Sequence, residues 1–210
     1  LGDLLRKHKN QIKKLGIEED NLTVSEHKTL SKHFKDTKHF NVSSLRGIKT
    51  ADEISRIEKA CKIGDEAFKF ILNRIQVGRT EREIADKLET FVRKKGATIS
   101  FSTIVAFGNN SSVPHHQTGN SKLTENDKFI LLDFGVKYEN YCSDMTRTVF
   151  FGKPSDKQKQ IYEIVLEAQQ KAVDYINSAV QSGKKIKASD VDKVARDYII
   201  SKNYPTIPHS

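Results

Sequence analysis

The order of elements in this sequence predicts an α+β fold, an antiparallel sheet with helices backing one face. Three observations predict it. Amphipathic helices open at capping boxes, two strand-like runs flank a short polar turn, and the helices precede and follow the strands instead of alternating with them. The other face of such a sheet is left open for chemistry.

Taken in order, Leu4, Leu5, Ile12 and Leu15 recur at helical spacing until Gly16, and Leu22-Thr23-Val24 favours a short strand. A boundary follows near Thr50. Thr50 and Glu53 have capping-box spacing ahead of Ile54, Ile57, Ala60, Cys61, Phe68, Ile71 and Ile75, which predicts a long amphipathic helix closed by Val77-Gly78-Arg79. Thr80 and Glu83 repeat the box before Ile84, Leu88, Phe91 and Val92, with Gly96 as the stop. Residues 98–107 favour a strand and 108–120 a loop. Residues 129–136 and 141–151 then read as two strands about a polar turn, ended by Pro154. A third box, Ser155 with Gln158, opens a helix carrying Ile161, Ile164, Val165, Ala168, Ala172 and Ile176, and a shorter helix covers about 189–201. Internal repeats and low-complexity stretches are absent.

The 210 residues, 36% of them hydrophobic, suffice for a real core. The net charge of +9 would suit a polyanion if the cations clustered, but the run from Arg6 to Lys14 is broken by apolar residues, and Lys184, Lys185 and Lys187 sit by Gly183 in a loop. With no nucleic-acid motif, we expect no nucleic-acid partner. Cys61 and Cys142 are too few and too far apart for a disulfide framework or zinc cluster, and read as two reduced core thiols of a cytoplasmic protein. No apolar run has the length of a membrane span. The chain opens on Leu1 and closes on Pro208-His209-Ser210 with neither cap nor polar tail, which reads as a piece cut at both ends.

Two carboxylates stand inside apolar strands: Asp133 after Phe129-Ile130-Leu131-Leu132, and Asp144 in Tyr141-Cys142-Ser143-Asp144-Met145-Thr146-Arg147-Thr148. A turn centred on Tyr138 and Glu139 would set them directly opposite each other, with Cβ atoms about 4.5–5.5 Å apart, where like charges repel. A pair of divalent ions, about 3.5–4 Å apart in two-metal hydrolases, would supply the missing positive charge. The alternative is a turn shifted by one residue that leaves one aspartate solvated. Upstream, Ser111-Ser112-Val113-Pro114-His115-His116 lies in a loop where functional residues commonly sit. A histidine there can shuttle protons or hold a substrate carbonyl; the other reading is an exposed loop histidine, and it applies more strongly to His116 than to His115. Nothing resembles a nucleophile elbow or a phosphate loop.

At these residues the sequence resembles the pita-bread metallopeptidases, specifically Xaa-Pro aminopeptidases and prolidases. The resemblance rests on Leu45-Arg46-Gly47-Ile48-Lys49-Thr50-Ala51-Asp52-Glu53-Ile54, on Ser100-Phe101-Ser102-Thr103-Ile104-Val105-Ala106 with Pro114-His115-His116, and on the aspartate pair followed by Thr146-Arg147-Thr148. It implies that residues 50–210 are the first part of a pita-bread (creatinase/aminopeptidase-like) catalytic domain, incomplete at the carboxyl end. Residues 1–49 would be the end of an amino-terminal creatinase-like domain and its linker. Carried over, Asp133 is a bidentate ligand of one metal, Asp144 bridges both, and His115 handles protons or binds substrate. Ile207-Pro208-His209-Ser210 resembles the opening of a further family motif, which makes His209 a second histidine lining the substrate pocket. The remaining ligands, a histidine and two glutamates, would lie beyond these residues.

The function so implied is a metal-dependent exopeptidase that hydrolyses the bond between an amino-terminal residue and proline through a metal-bridging hydroxide. The expected cofactor is a pair of divalent ions, Mn2+ first, with Co2+, Fe2+ or Zn2+ also suited. Its partners would be peptides or dipeptides with proline second, and the full-length protein a homodimer. A dipeptidase (prolidase) and a non-catalytic binding module of the same fold are the alternatives. Methionine aminopeptidases share the aspartate pair but lack the preceding domain. By ligand count, the 210-residue chain by itself is expected to be inactive.

Overall fold

The computed structural model describes residues 7–8, 11–12, 14–19 and 21–206. The first of these build a small unit. Strand β1 (Leu15–Ile17) pairs in parallel with β2 (Thr37–His39), and helix α1 (Val24–Ser31) lies between them in sequence. Ile17, Leu30 and Phe34 are buried together beneath them. Two expectations are corrected here. Leu15 belongs to a strand rather than a helix, and Thr23 is no strand residue but the N-cap of α1, closing a reciprocal box with Glu26. Leu22-Thr23-Val24 is β-prone by composition, yet the Thr23–Glu26 pair satisfies two orphan N–H groups at once and decides for helix. Leu4 and Leu5 lie outside the described residues.

A short helix α2 (Ser43–Gly47) leads to α3 (Ala51–Leu72), capped by Thr50 and Glu53, and to α4 (Glu81–Lys94), capped by Thr80 and Glu83, as their spacing predicts. The stripe of α3 that enters the core is Ala60, Ile63, Gly64, Ala67 and Ile71, while Ile54 stays exposed. From α4, Ile84, Leu88 and Val92 are fully buried. Both helices back the sheet.

The expected strand over 98–107 is broken into β3 (Thr98–Ile99) and β4 (Ile104–Phe107), followed by a 3-10 turn over Gly108–Ser112. The two later runs are also broken in step, into β5 (Phe129–Phe134) and β6 (Val136–Tyr138), then β7 (Tyr141–Cys142) and β8 (Met145–Phe150). Two three-stranded antiparallel sheets result, ordered β4-β5-β8 and β3-β6-β7. The break has a steric cause. A Cβ on Gly135 would lie 2.0 Å from Ser100 Oγ and 2.2 Å from the Ser143 carbonyl oxygen, so a side chain and a backbone carbonyl close on it from two other segments and only glycine fits. Ser100 fastens the junction, its N–H donating to the Gly135 carbonyl and its hydroxyl to the Ser143 carbonyl, both at 3.0 Å.

Along β5 burial alternates: Ile130, Leu132 and Phe134 are fully buried under the helices, whereas Phe129, Leu131 and Asp133 are half-buried on the open face. Two long helices complete the described chain, α5 (Asp156–Ser182), capped by Ser155 and Gln158 and stopped by left-handed Gly183, and α6 (Ala188–Ser201). Tyr162 of α5 packs on Phe150, itself ring-to-ring with Phe129 across the sheet. Val165, Leu166, Ile176 and Val180 of α5 remain exposed. Cys61 and Cys142 are free thiols on the surface rather than in the core. Among the described residues no helix is long and apolar enough to cross a membrane.

Candidate metal centre

The hairpin register is fixed by its turn. Tyr138 pairs with Tyr141, leaving Glu139 and Asn140 as a two-residue loop with φ of 45° and 70°, the positive values a type I′ turn requires. The turn is therefore one residue later than a centre on Tyr138 and Glu139, and Asp133 stands opposite Thr146, not Asp144. The predicted direct opposition is thus corrected in favour of the alternative, a turn shifted by one residue, and Asp144 is exposed. Moving the turn by one residue moves each partner by two, and side chains two apart share a face. Asp144 is consequently a diagonal neighbour of Asp133 on the open side, at the separation of about 7–8 Å typical of such positions.

The electrostatics agree with that proximity. Burial raises the Asp133 pKa above its ordinary 3.8, the charge of Asp144 raises it further, and the Thr146 hydroxyl and His115 act in the opposite direction. Neither aspartate forms an ion pair with Lys or Arg among the described residues. Two neighbouring carboxylates without a paired Lys or Arg, one of them half-buried, make a donor set of the oxygen type that hard divalent ions take. The set is partial: among the described residues no group of three or more His, Cys, Asp or Glu is placed to hold a metal ion.

His115 opens onto the same side. A cavity of about 300 Å³ is lined by Ile104, Leu131, Asp133 and Thr146 from the sheet and by Ser111 to His116 from the loop. His115 has φ 52°, a left-handed conformation rare for a residue with a Cβ. A second cavity, of about 530 Å³, adjoins it through Ile104, His115 and His116 and runs toward Asp86 and Glu89 of α4. His209 lies outside the described residues.

The loop's shape comes from a residue that sequence reasoning missed. Glu81, the first residue of α4, is fully buried. Its Oε1 accepts from the Phe107 N–H at 3.1 Å and Asn110 Nδ2 at 2.8 Å, and its Oε2 from His116 Nε2 at 2.9 Å and the Gly119 N–H at 3.1 Å. Burial by itself would raise this carboxyl's pKa; the bonds from Asn110, His116, Gly119 and Phe107 outweigh it and hold the group below its ordinary 4.5. Facing an ionised carboxylate, His116 must carry its proton on Nε2. His116 is therefore an anchored residue, not the exposed loop histidine expected. An acidic residue in a helix's first turn reads in sequence as a surface complement to the helix dipole, which hid Glu81.

This arrangement, an α+β half-shell with paired carboxylates and a histidine loop on the open face of its sheet, defines a class of metal-dependent peptidases. Residues 55–210 match metallopeptidase family M24, and the chain belongs to that family. Its fold is the pita-bread type of that family, with antiparallel sheets backed by helices. An uncharacterized peptidase of Staphylococcus haemolyticus is 39% identical over 197 residues, 91% of this chain and 54% of that protein. Among solved structures, the Xaa-Pro dipeptidase from Bacillus anthracis is 40% identical with a TM-score of 0.83, covering 97% of this chain and 57% of that one. The X-Pro aminopeptidase from Thermotoga maritima is 36% identical with a TM-score of 0.81 and the same coverage. The chain thus spans about half the length of the relatives it matches.

Proposed function

We propose that the protein carrying these residues is a metal-dependent exopeptidase that cleaves the bond between an amino-terminal residue and proline. The observation that carries this reading is the placement of Asp133, Asp144 and His115 on one open face, the last sharing a cavity with Asp133. Asp133 and Asp144 would hold the metal ions, Mn2+ first among those suited to carboxylate oxygen. Bound there, the ions supply Lewis-acid charge and acidify water at neutral pH. His115 would bind the substrate carbonyl or carry a proton, and His209 would line the substrate pocket. Cleavage of dipeptides, the prolidase reading, is favoured by the likeness to the Xaa-Pro dipeptidase from Bacillus anthracis, and cleavage of longer peptides by that to the X-Pro aminopeptidase from Thermotoga maritima.

We further read residues 1–49 as the end of a preceding domain and its linker, supported by their separate small core, and 50–210 as the first part of the catalytic domain. A homodimer and a cytoplasmic location complete the reading. The test is release of the residue before proline by the protein with its complete ligand set, from Xaa-Pro dipeptides and Xaa-Pro-Yaa tripeptides, with Mn2+ and with a chelator. Asp144→Ala should abolish turnover. Full activity in the chelator, or in that variant, would overturn the reading.

A further inference from the structure

We infer that Glu81 is the positioning residue for His115: its buried carboxylate gathers both ends of the 107–119 loop and holds the His115 ring over the Asp133 side of the sheet. This rests on the reading that His115 acts at that site. The loop leaves β4 at Phe107 and returns at Gly119, and both backbone N–H groups end on Glu81, one on each oxygen. Asn110 and His116 bind the same two oxygens from within the loop. The arch between them carries Pro114 and His115 and lines one cavity with Asp133. The returning segment is secured again by the Glu81 N–H on the Ser121 carbonyl and the Arg82 N–H on the Gly119 carbonyl, both at 3.0 Å. His115 holds a left-handed backbone immediately before anchored His116, a conformation that persists only where the surroundings impose it.

The chemistry requires a carboxylate at this position. Each oxygen faces two donors, so a glutamine in either orientation turns its NH2 toward two of them. Even a His116 tautomer that accepts from that NH2 leaves the second donor of the pair, the Gly119 N–H, without an acceptor. Glu81 touches neither aspartate among its hydrogen-bond partners, so its effect must pass through the loop.

The experiment is a double-mutant cycle with an independent structural readout, on the protein with its complete ligand set. E81Q, H115A and the double variant are assayed for kcat and KM on one Xaa-Pro peptide, while hydrogen exchange by mass spectrometry follows residues 107–119 in each. We expect E81Q to lower kcat on the order of a hundredfold, the effect of misplacing a reacting group by about an ångström. The double variant should lose no more than H115A does. Exchange across 107–119 should rise at least about tenfold in E81Q, with residues 51–72 and 129–134 unchanged. Losses that multiply in the double variant, or unchanged exchange in the loop, overturn the inference. H116A, which leaves the carboxylate three donors, serves the same cycle if E81Q does not fold. Should the wild-type protein cleave no Xaa-Pro peptide, the functional reading fails, and the exchange arm still decides whether Glu81 orders the loop.

Discussion

Asp133 pairs with Thr146 across β5 and β8, and Asp144 stands two residues before that partner, so the two carboxylates share the open face without being cross-strand partners. Thr146 faces Asp133 directly and acts against the rise in its pKa that burial and Asp144 impose. Removing the charge at Asp133 should therefore have opposite effects on stability and on metal binding. Because the folded-state pKa of Asp133 is raised, its ionised form opposes folding: its contribution is favourable at low pH and is lost as pH rises through the folded value. Asp133→Asn should leave metal-free stability at pH 7 unchanged or higher, while weakening Mn2+ binding at least about tenfold, the scale seen even for outer-shell partners of a metal. Thermal melts in a chelator and a calorimetric Mn2+ titration check both signs. A large loss of metal-free stability would mark Asp133 as a structural residue instead.

The alternation of β5 can be tested on two adjacent leucines. Leu132 is fully buried under the helices, whereas Leu131 lines the open cavity. Leu132→Ala should cost about 3–5 kcal/mol and Leu131→Ala roughly 1 kcal/mol, following the area each removes from the core. Urea denaturation of both variants decides. Equal losses would mean that the face carrying Asp133 is covered.

Gly135 should not tolerate a methyl group. A Cβ there meets Ser100 Oγ at 2.0 Å and the Ser143 carbonyl oxygen at 2.2 Å. Gly135→Ala should destabilise by at least about 3 kcal/mol, the upper range for overpacking, because one of the obstructing atoms is backbone and cannot rotate away. Adding Ser100→Ala should recover only part of that loss. Full recovery in urea melts would show that the carbonyl yields.

Acid should loosen the histidine loop before it melts the helices. The Glu81 carboxyl has a folded pKa below the ordinary 4.5, so its contribution is complete above that value and is lost as pH falls through the folded pKa. Protonation of His116 keeps its Nε2 donor and does not break the pair. Glu81→Gln should cost about 2–4 kcal/mol at pH 7, the scale of leaving buried donors unmatched, and the gap to wild type should narrow in acid. Urea melts from pH 7 down to pH 3 measure it. A gap that stays constant with pH would remove the carboxylate from the account.

The sequence by itself determined what short-range physics controls. The pairs Thr50–Glu53, Thr80–Glu83 and Ser155–Gln158 set three helix starts, because each box is closed by hydrogen bonds three residues apart that need no other part of the molecule. It left two registers open for Asp133 and Asp144, direct opposition or a turn one residue later with one aspartate solvated, because the polar turn residues fit either. The tertiary structure alone decided which residue faces Asp133. That followed from positive φ at Glu139 and Asn140 and from the crowding of Gly135 by Ser100 and Ser143, contacts made across the fold. It decided as well that Glu81 is buried and His116 anchored, because the four donors on that carboxylate come from residues 26 to 38 positions away, beyond the reach of any local pattern.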